Sequence, residues 1–126
     1  MLGDADVVAF LATADAERAR DFYERVLGLR LVEDGPFALV LEAARGVTVR
    51  VQKMERVSPP PGTALGWSVP DVEATVRGLG QRGVSFLRYD GVHQDERGIW
   101  TSPGGARVAW FADPDGNVLS VTESSN

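Results

Sequence analysis

Trp110-Phe111-Ala112-Asp113-Pro114-Asp115-Gly116-Asn117-Val118-Leu119-Ser120-Val121 sets a strand, a turn and a second strand end to end with no spare residue. Proline fixes φ for the turn, Asp and Asn side chains bond to nearby backbone, and Gly116 or Asn117 can take positive φ. The flanking aromatic and β-branched residues suit a pleated, half-buried surface, so the stretch predicts a β-hairpin. As a calcium loop, Asp113-x-Asp115-x-Asn117 has Pro114 and Gly116 in the wrong places. It also lacks the glycine and glutamate that such a loop needs at its sixth and twelfth positions, so a turn held by Asx bonds is the reading.

Working outward, residues 107–112 and 118–122 are the hairpin strands, and residues 84–89 form another strand-like run. Before them, Asp71 offers a helix cap, Val72, Val76 and Leu79 make an apolar stripe that ends before Gly83, and residues 63–69 read as a strand. The first half repeats this order. Residues 7–13 read as a strand, Asp15 caps a helix, and Ala16, Ala19, Phe22, Tyr23, Val26 and Leu27 recur at helical steps until Gly28. Runs at 29–32, 37–43 and 47–54 follow, broken by Asp34-Gly35-Pro36 and Arg45-Gly46. Ser58-Pro59-Pro60-Pro61-Gly62 is an extended spacer without backbone donors at its prolines. The expected organisation is therefore a βαβββ unit at 1–57, a Pro-rich linker at 58–62 and a second βαβββ unit at 63–126, together one globular domain. Residues 90–105 are too long for a plain turn and are a candidate rim or lid over a pocket.

Composition narrows the class. The 126 residues are 44% hydrophobic and 25% charged, and 13 basic against 18 acidic residues give a net charge of −5. That balance disfavours generic nucleic-acid binding and mildly favours a neutral or cationic small ligand. With no cysteine, disulfides and thiolate metal sites are excluded. Neither a membrane-length apolar run nor a signal peptide is visible, which gives a cytoplasmic expectation with no membrane partner. Gly104-Gly105 has no phosphate-loop spacing around it.

The two βαβββ units, the segment Asp15-x-x-x-x-x-Asp21-Phe22-Tyr23-x-x-x-Leu27-Gly28-Leu29 and the closing Asp-Pro-Asp-Gly-Asn hairpin together resemble the vicinal oxygen chelate superfamily. That superfamily includes glyoxalase I, bleomycin-resistance proteins, fosfomycin-resistance enzymes and extradiol dioxygenases. The resemblance implies an α+β fold of curved, cup-like mixed sheets, a homodimer, and an active site inside the cup. In glyoxalase-like members, four side chains on the first and last strands of each unit hold a divalent metal. By resemblance those positions fall at Val8, Arg50, Ala64 and Ser120. Two of these side chains have no donor atom, one stays protonated, and a single hydroxyl does not replace a carboxylate, so no metal and no cofactor is expected.

Strand alternation then assigns what remains. If Val8 faces the cup, so do Phe10 and Ala12; if Arg50 does, so do Thr48, Gln52 and Met54, while the valines between them face a helix. Arg50 either attracts a carboxylate, phosphate or flat ring, or pairs internally with Glu42. Trp67 belongs by parity to the helix side, Trp100 lies in the long segment, and Trp110 precedes the hairpin turn. Phe10, Arg50, Gln52, Trp100, Trp110 and Ser120 are the candidate ligand-binding residues, and no catalytic residue is assigned. The single histidine, His93, is a candidate base oriented by Asp95 and Glu96, or an ordinary surface residue.

The resulting expectation is a metal-independent protein, similar to bleomycin-resistance proteins, that sequesters an aromatic or cationic compound. The alternatives are a glyoxalase-type lyase or isomerase, or a dioxygenase-related enzyme, with chemistry moved to Arg50, Glu42 and His93, and a scaffold that merely dimerises.

Overall fold

The computed structural model describes residues 1–125. The chain divides into two compact units, Met1–Pro59 and Pro60–Asn126, and each holds one four-stranded mixed sheet.

In the first unit, β1 (Val8–Thr13) leads to helix α1 (Ala16–Arg20), then β2 (Arg30–Asp34), β3 (Ala38–Glu42) and β4 (Thr48–Lys53). The sheet order is β1-β4-β3-β2, with β1 parallel to β4 and the other pairs antiparallel. Asp15 caps α1 by accepting from the Arg18 amide at 3.2 Å, and Thr13 Oγ1 accepts from the Asp15 amide at 3.0 Å. The expected single helix is in fact two pieces, because α1 passes into a π-helix over Asp21–Val26. The Leu27 amide reaches back to the Phe22 carbonyl at 2.9 Å. A wider turn still brings residues four and five apart near one another, so the stripe of Ala19, Phe22, Tyr23 and Val26 fits both geometries and the sequence does not separate them.

Period-two burial is complete at the sheet's centre. Leu39, Leu41, Val49 and Val51 are fully buried, as are Ala19 and Tyr23 of the helical segment. Asp34 lies in register with Leu39 and so shares this face. Its carboxylate takes Lys53 Nζ of β4 at 2.6 Å and Arg20 of α1 at 3.3 Å, which ties helix to sheet. The Lys53 hydrogen bond, followed by the nearby Lys53 and Arg20 charges, holds the Asp34 carboxyl below the ordinary aspartate range.

In the second unit, β5 (Thr63–Ser68), α2 (Val72–Gln81), β6 (Trp100–Thr101), β7 (Arg107–Ala112) and β8 (Val118–Glu123) give a sheet in the order β5-β8-β7-β6, again with one parallel pair, β5 with β8. Asp71 caps α2 through the Ala74 amide at 3.1 Å. Glu123 of β8 accepts from the Val72 amide at 2.9 Å, and Glu73 meets Arg107 of β7 at 3.4 Å, so α2 is fastened to the face that buries Ala109, Phe111, Leu119 and Val121.

One strand is displaced from its expected place. Residues 84–89 make only a single bridge, Phe86 to Phe111, and the fourth strand is Trp100–Thr101 from the long segment. The reason is Gln94. Its amide nitrogen donates to the Leu87 carbonyl at 2.9 Å and its oxygen accepts from the Tyr89 amide at 2.8 Å, so a side chain meets backbone needs that a strand would otherwise meet.

The hairpin forms as expected. Gly116 has φ +90° and donates to the Asp113 carbonyl at 3.0 Å. Asp113 Oδ1 accepts from the amides of Asp115 and Asn117, and Oδ2 from the Asn117 side chain, each at 2.9 Å. Asp113 and Asn117 are both buried. Asp113→Ala strands these donors and is expected to lower unfolding stability by about 2–4 kcal/mol in urea titrations, whereas a loss under about 0.5 kcal/mol contradicts the assigned network. Asp34→Asn behaves differently. A carboxyl whose folded pKa is lowered stabilises above its ordinary pKa and loses that contribution as pH falls through the folded value. The variant should therefore have a slightly lower thermal midpoint than wild type at pH 7, with the difference vanishing well below about pH 4.

Candidate functional site

Each sheet turns one face to a helix and leaves the other without one. On the first unit, the rows on that open face are fixed by register: Val8 beside Thr48 and Glu42, Phe10 beside Arg50 and Val40, and Ala12 beside Gln52 and Ala38. Arg50 and Gln52 are exposed, and Phe10 retains 58% of its surface in solvent. The expected sharing of one face by Phe10, Arg50 and Gln52 is thus the observed geometry. The internal ion pair considered for Arg50 is not formed, because Glu42 is held by Arg30 at 3.1 Å. Among the described residues Arg50 takes part in no ion pair.

On the second unit, the open face is aromatic. Trp100 pairs in register with Val108, one step along the face from Trp110, and the two indoles lie 6.1 Å apart at an interplanar angle of 30°. Tyr89 meets Trp110 edge-on at 5.5 Å and 84°. Gly66, Ser120 and Trp110 form one row across three strands. A Cβ built on Gly66 comes within 2.5 Å of Ser120 Oγ, so the row beside the Trp110 ring accommodates only small groups. Ser120 is 8% exposed. Trp67 shares a row with buried Val121 and lies on the helix side.

The long segment positions this cluster. Asp95 Oδ1 accepts from the amides of Arg97 and Ile99 at 2.9 Å, Arg88 donates to the Asp95 carbonyl at 2.6 Å, and Gln94 also donates to the Gly98 carbonyl at 2.8 Å. Gly98 has φ +90° with Phe86 Cβ only 3.2 Å from where a side chain would begin. The Trp100 indole is therefore delivered by a segment tied down through side chains. Asp95, considered as an orienting partner for His93, is occupied by that backbone, and the His93 residue is exposed.

Sequence reasoning missed Tyr89 and Gln94. Tyr89 sits at the end of a run assigned to a strand, and nothing in that run marks its ring as a partner for Trp110. The signal for Gln94 was the segment's length, since a span that long needs internal hydrogen bonds.

The positions that the resemblance assigns to a metal site do not suit one. Val8 and Ala64 carry no donor, Arg50 is a fixed cation, and Ser120 supplies one hydroxyl. No group of three or more His, Asp or Glu side chains among the described residues could hold a metal ion. The residues do not fit a divalent ion, and no chemistry is assigned through one. No helix among the described residues is long and apolar enough to cross a membrane.

A family model described as the Glyoxalase/Bleomycin resistance protein/Dioxygenase superfamily matches residues 6–121. Among solved structures, a member of that superfamily from Sphaerobacter thermophilus is 25% identical, with 98% of this chain and 100% of that one covered and a TM-score of 0.76. TnmS3, an antibiotic binding protein from Streptomyces sp. CB03234, is 27% identical over 99% of each chain with a TM-score of 0.75. A lactoylglutathione lyase from Agrobacterium tumefaciens is 18% identical over 97% of this chain and 95% of that one, with a TM-score of 0.74, a likeness of fold alone. No curated protein sequence matches the chain.

Proposed function

We propose that this chain, which belongs to the glyoxalase/bleomycin resistance protein/dioxygenase superfamily, acts as a metal-independent binding protein that sequesters a flat aromatic small molecule, working as a cytoplasmic homodimer. The observation that carries this reading is the cluster of Tyr89, Trp100 and Trp110 on a sheet face without a helix. Indole rings bury large area at little conformational cost and stack on planar ligands, and a tilted pair with small residues at its foot suits a thin molecule. The empty donor set at Val8, Arg50, Ala64 and Ser120 supports binding without metal-dependent turnover. The similarity to an antibiotic binding protein at 27% identity supports the same reading.

Calorimetry against glycopeptide, mitomycin-type and quinoxaline antibiotics, followed in parallel by tryptophan fluorescence, tests it. Saturable heat and quenching with one planar compound is expected, and Trp110→Ala should weaken that binding at least about tenfold. Silence across the panel, or turnover of any compound by the purified protein, contradicts the proposal.

A further inference from the structure

The open face of the first unit bears a different chemistry from that of the second. Arg50 stands on β4, an inner strand of its sheet, with Phe10 on one side in register and Val40 on the other. The guanidinium is exposed, and the chain has 18 acidic residues that could pair with it. Glu33 shares the row one strand further out, beyond Val40, and forms no ion pair with Arg50, and two further carboxylates of the sheet are engaged elsewhere. Glu42 faces the same way and is held by Arg30 at 3.1 Å, while Asp34 lies on the helix side with Lys53 at 2.6 Å. Among the described residues no carboxylate pairs with Arg50. Its row neighbour Phe10 leaves 58% of its surface in solvent. Gln52, two residues along the same strand and exposed on the same face, adds a further amide donor.

We propose that this face accepts an anion: Arg50 receives the carboxylate of a flat ligand whose ring lies on Phe10, with Gln52 as an auxiliary donor. The planar fork of N–H groups matches two carboxylate oxygens at once. This inference rests on the reading that the chain holds a small molecule, and it replaces the cationic ligand suggested by the net charge with an anionic one.

The test uses 2-naphthoate and 2-naphthamide, alike except for the charge, titrated into the full chain. Amide resonances of Phe10 and Arg50 and the indole N–H signals of Trp100 and Trp110 are followed by NMR. Naphthoate should bind at least about fivefold more tightly than naphthamide and shift the Phe10 and Arg50 signals, with the preference shrinking near about 1 M salt. The ratio should fall to about one in Arg50→Met and recover in part in Arg50→Lys. If naphthamide binds and naphthoate is no tighter, or if the preference survives Arg50→Met, the anion site is wrong while the binding reading stands. If neither compound binds while an antibiotic of the panel does, the anion site is wrong and the binding reading stands; if nothing binds, both are overturned.

Discussion

The two-residue repeat of the inner strands β4 and β8 is the constraint on which the rest of this structure depends. On β4, Val49 and Val51 are fully buried and Arg50 and Gln52 are exposed. On β8, Leu119 and Val121 line the helix side and Ser120 the other. Each unit packs its main helical segment, α1 with the π-helix that follows it or α2, on one face of its sheet, and the alternate residues are committed to the other face. A slip of one residue in register would put valines in solvent and Arg50 under α1. The caps and ion pairs matter because they hold register: Asp34 links α1, β2 and β4, Glu123 fastens the start of α2 to β8, and Asp113 closes the β7–β8 turn.

Much of this was legible from residue types alone. The hairpin followed from Asp-Pro-Asp-Gly-Asn, where only glycine takes φ +90° without strain. Both helix caps followed from Asp15 and Asp71, and strand parity placed Phe10, Arg50 and Gln52 together. What escaped the sequence has local causes. The π-helix over Asp21–Val26 shares its apolar spacing with an α-helix, and residues 84–89 look like a strand because Val84, Phe86 and Tyr89 are strand-favouring types. A non-local residue, Gln94, takes over that segment's backbone bonds, and no periodicity within residues 84–89 encodes a side chain five residues beyond them. The Tyr89–Trp110 contact is hidden for the same reason, since it exists only once the displaced segment has been pinned.

The proposed function asks of the two open faces only stacking and a fixed charge. A donor set demands several carboxylates or imidazoles at fixed distances, and losing any one weakens the site steeply. Aromatic stacking and a fixed guanidinium have no such all-or-none requirement. They tolerate variation in the ligand's outline while selecting for flatness and charge, which suits capture of a compound better than its transformation. The segment carrying Trp100 is built accordingly, with Gly98 permitting the bend and Asp95 satisfying the amides at its return.

Under the proposed function, the faces without a helix are the ones that meet ligand. A crystal structure of the chain soaked with a planar aromatic carboxylate decides this. Density is expected for the ring lying against an aromatic side chain of an open face, within about 4 Å of its atoms. Density on the helix-covered side, or a divalent metal ion coordinated at Val8, Arg50, Ala64 or Ser120, would contradict it.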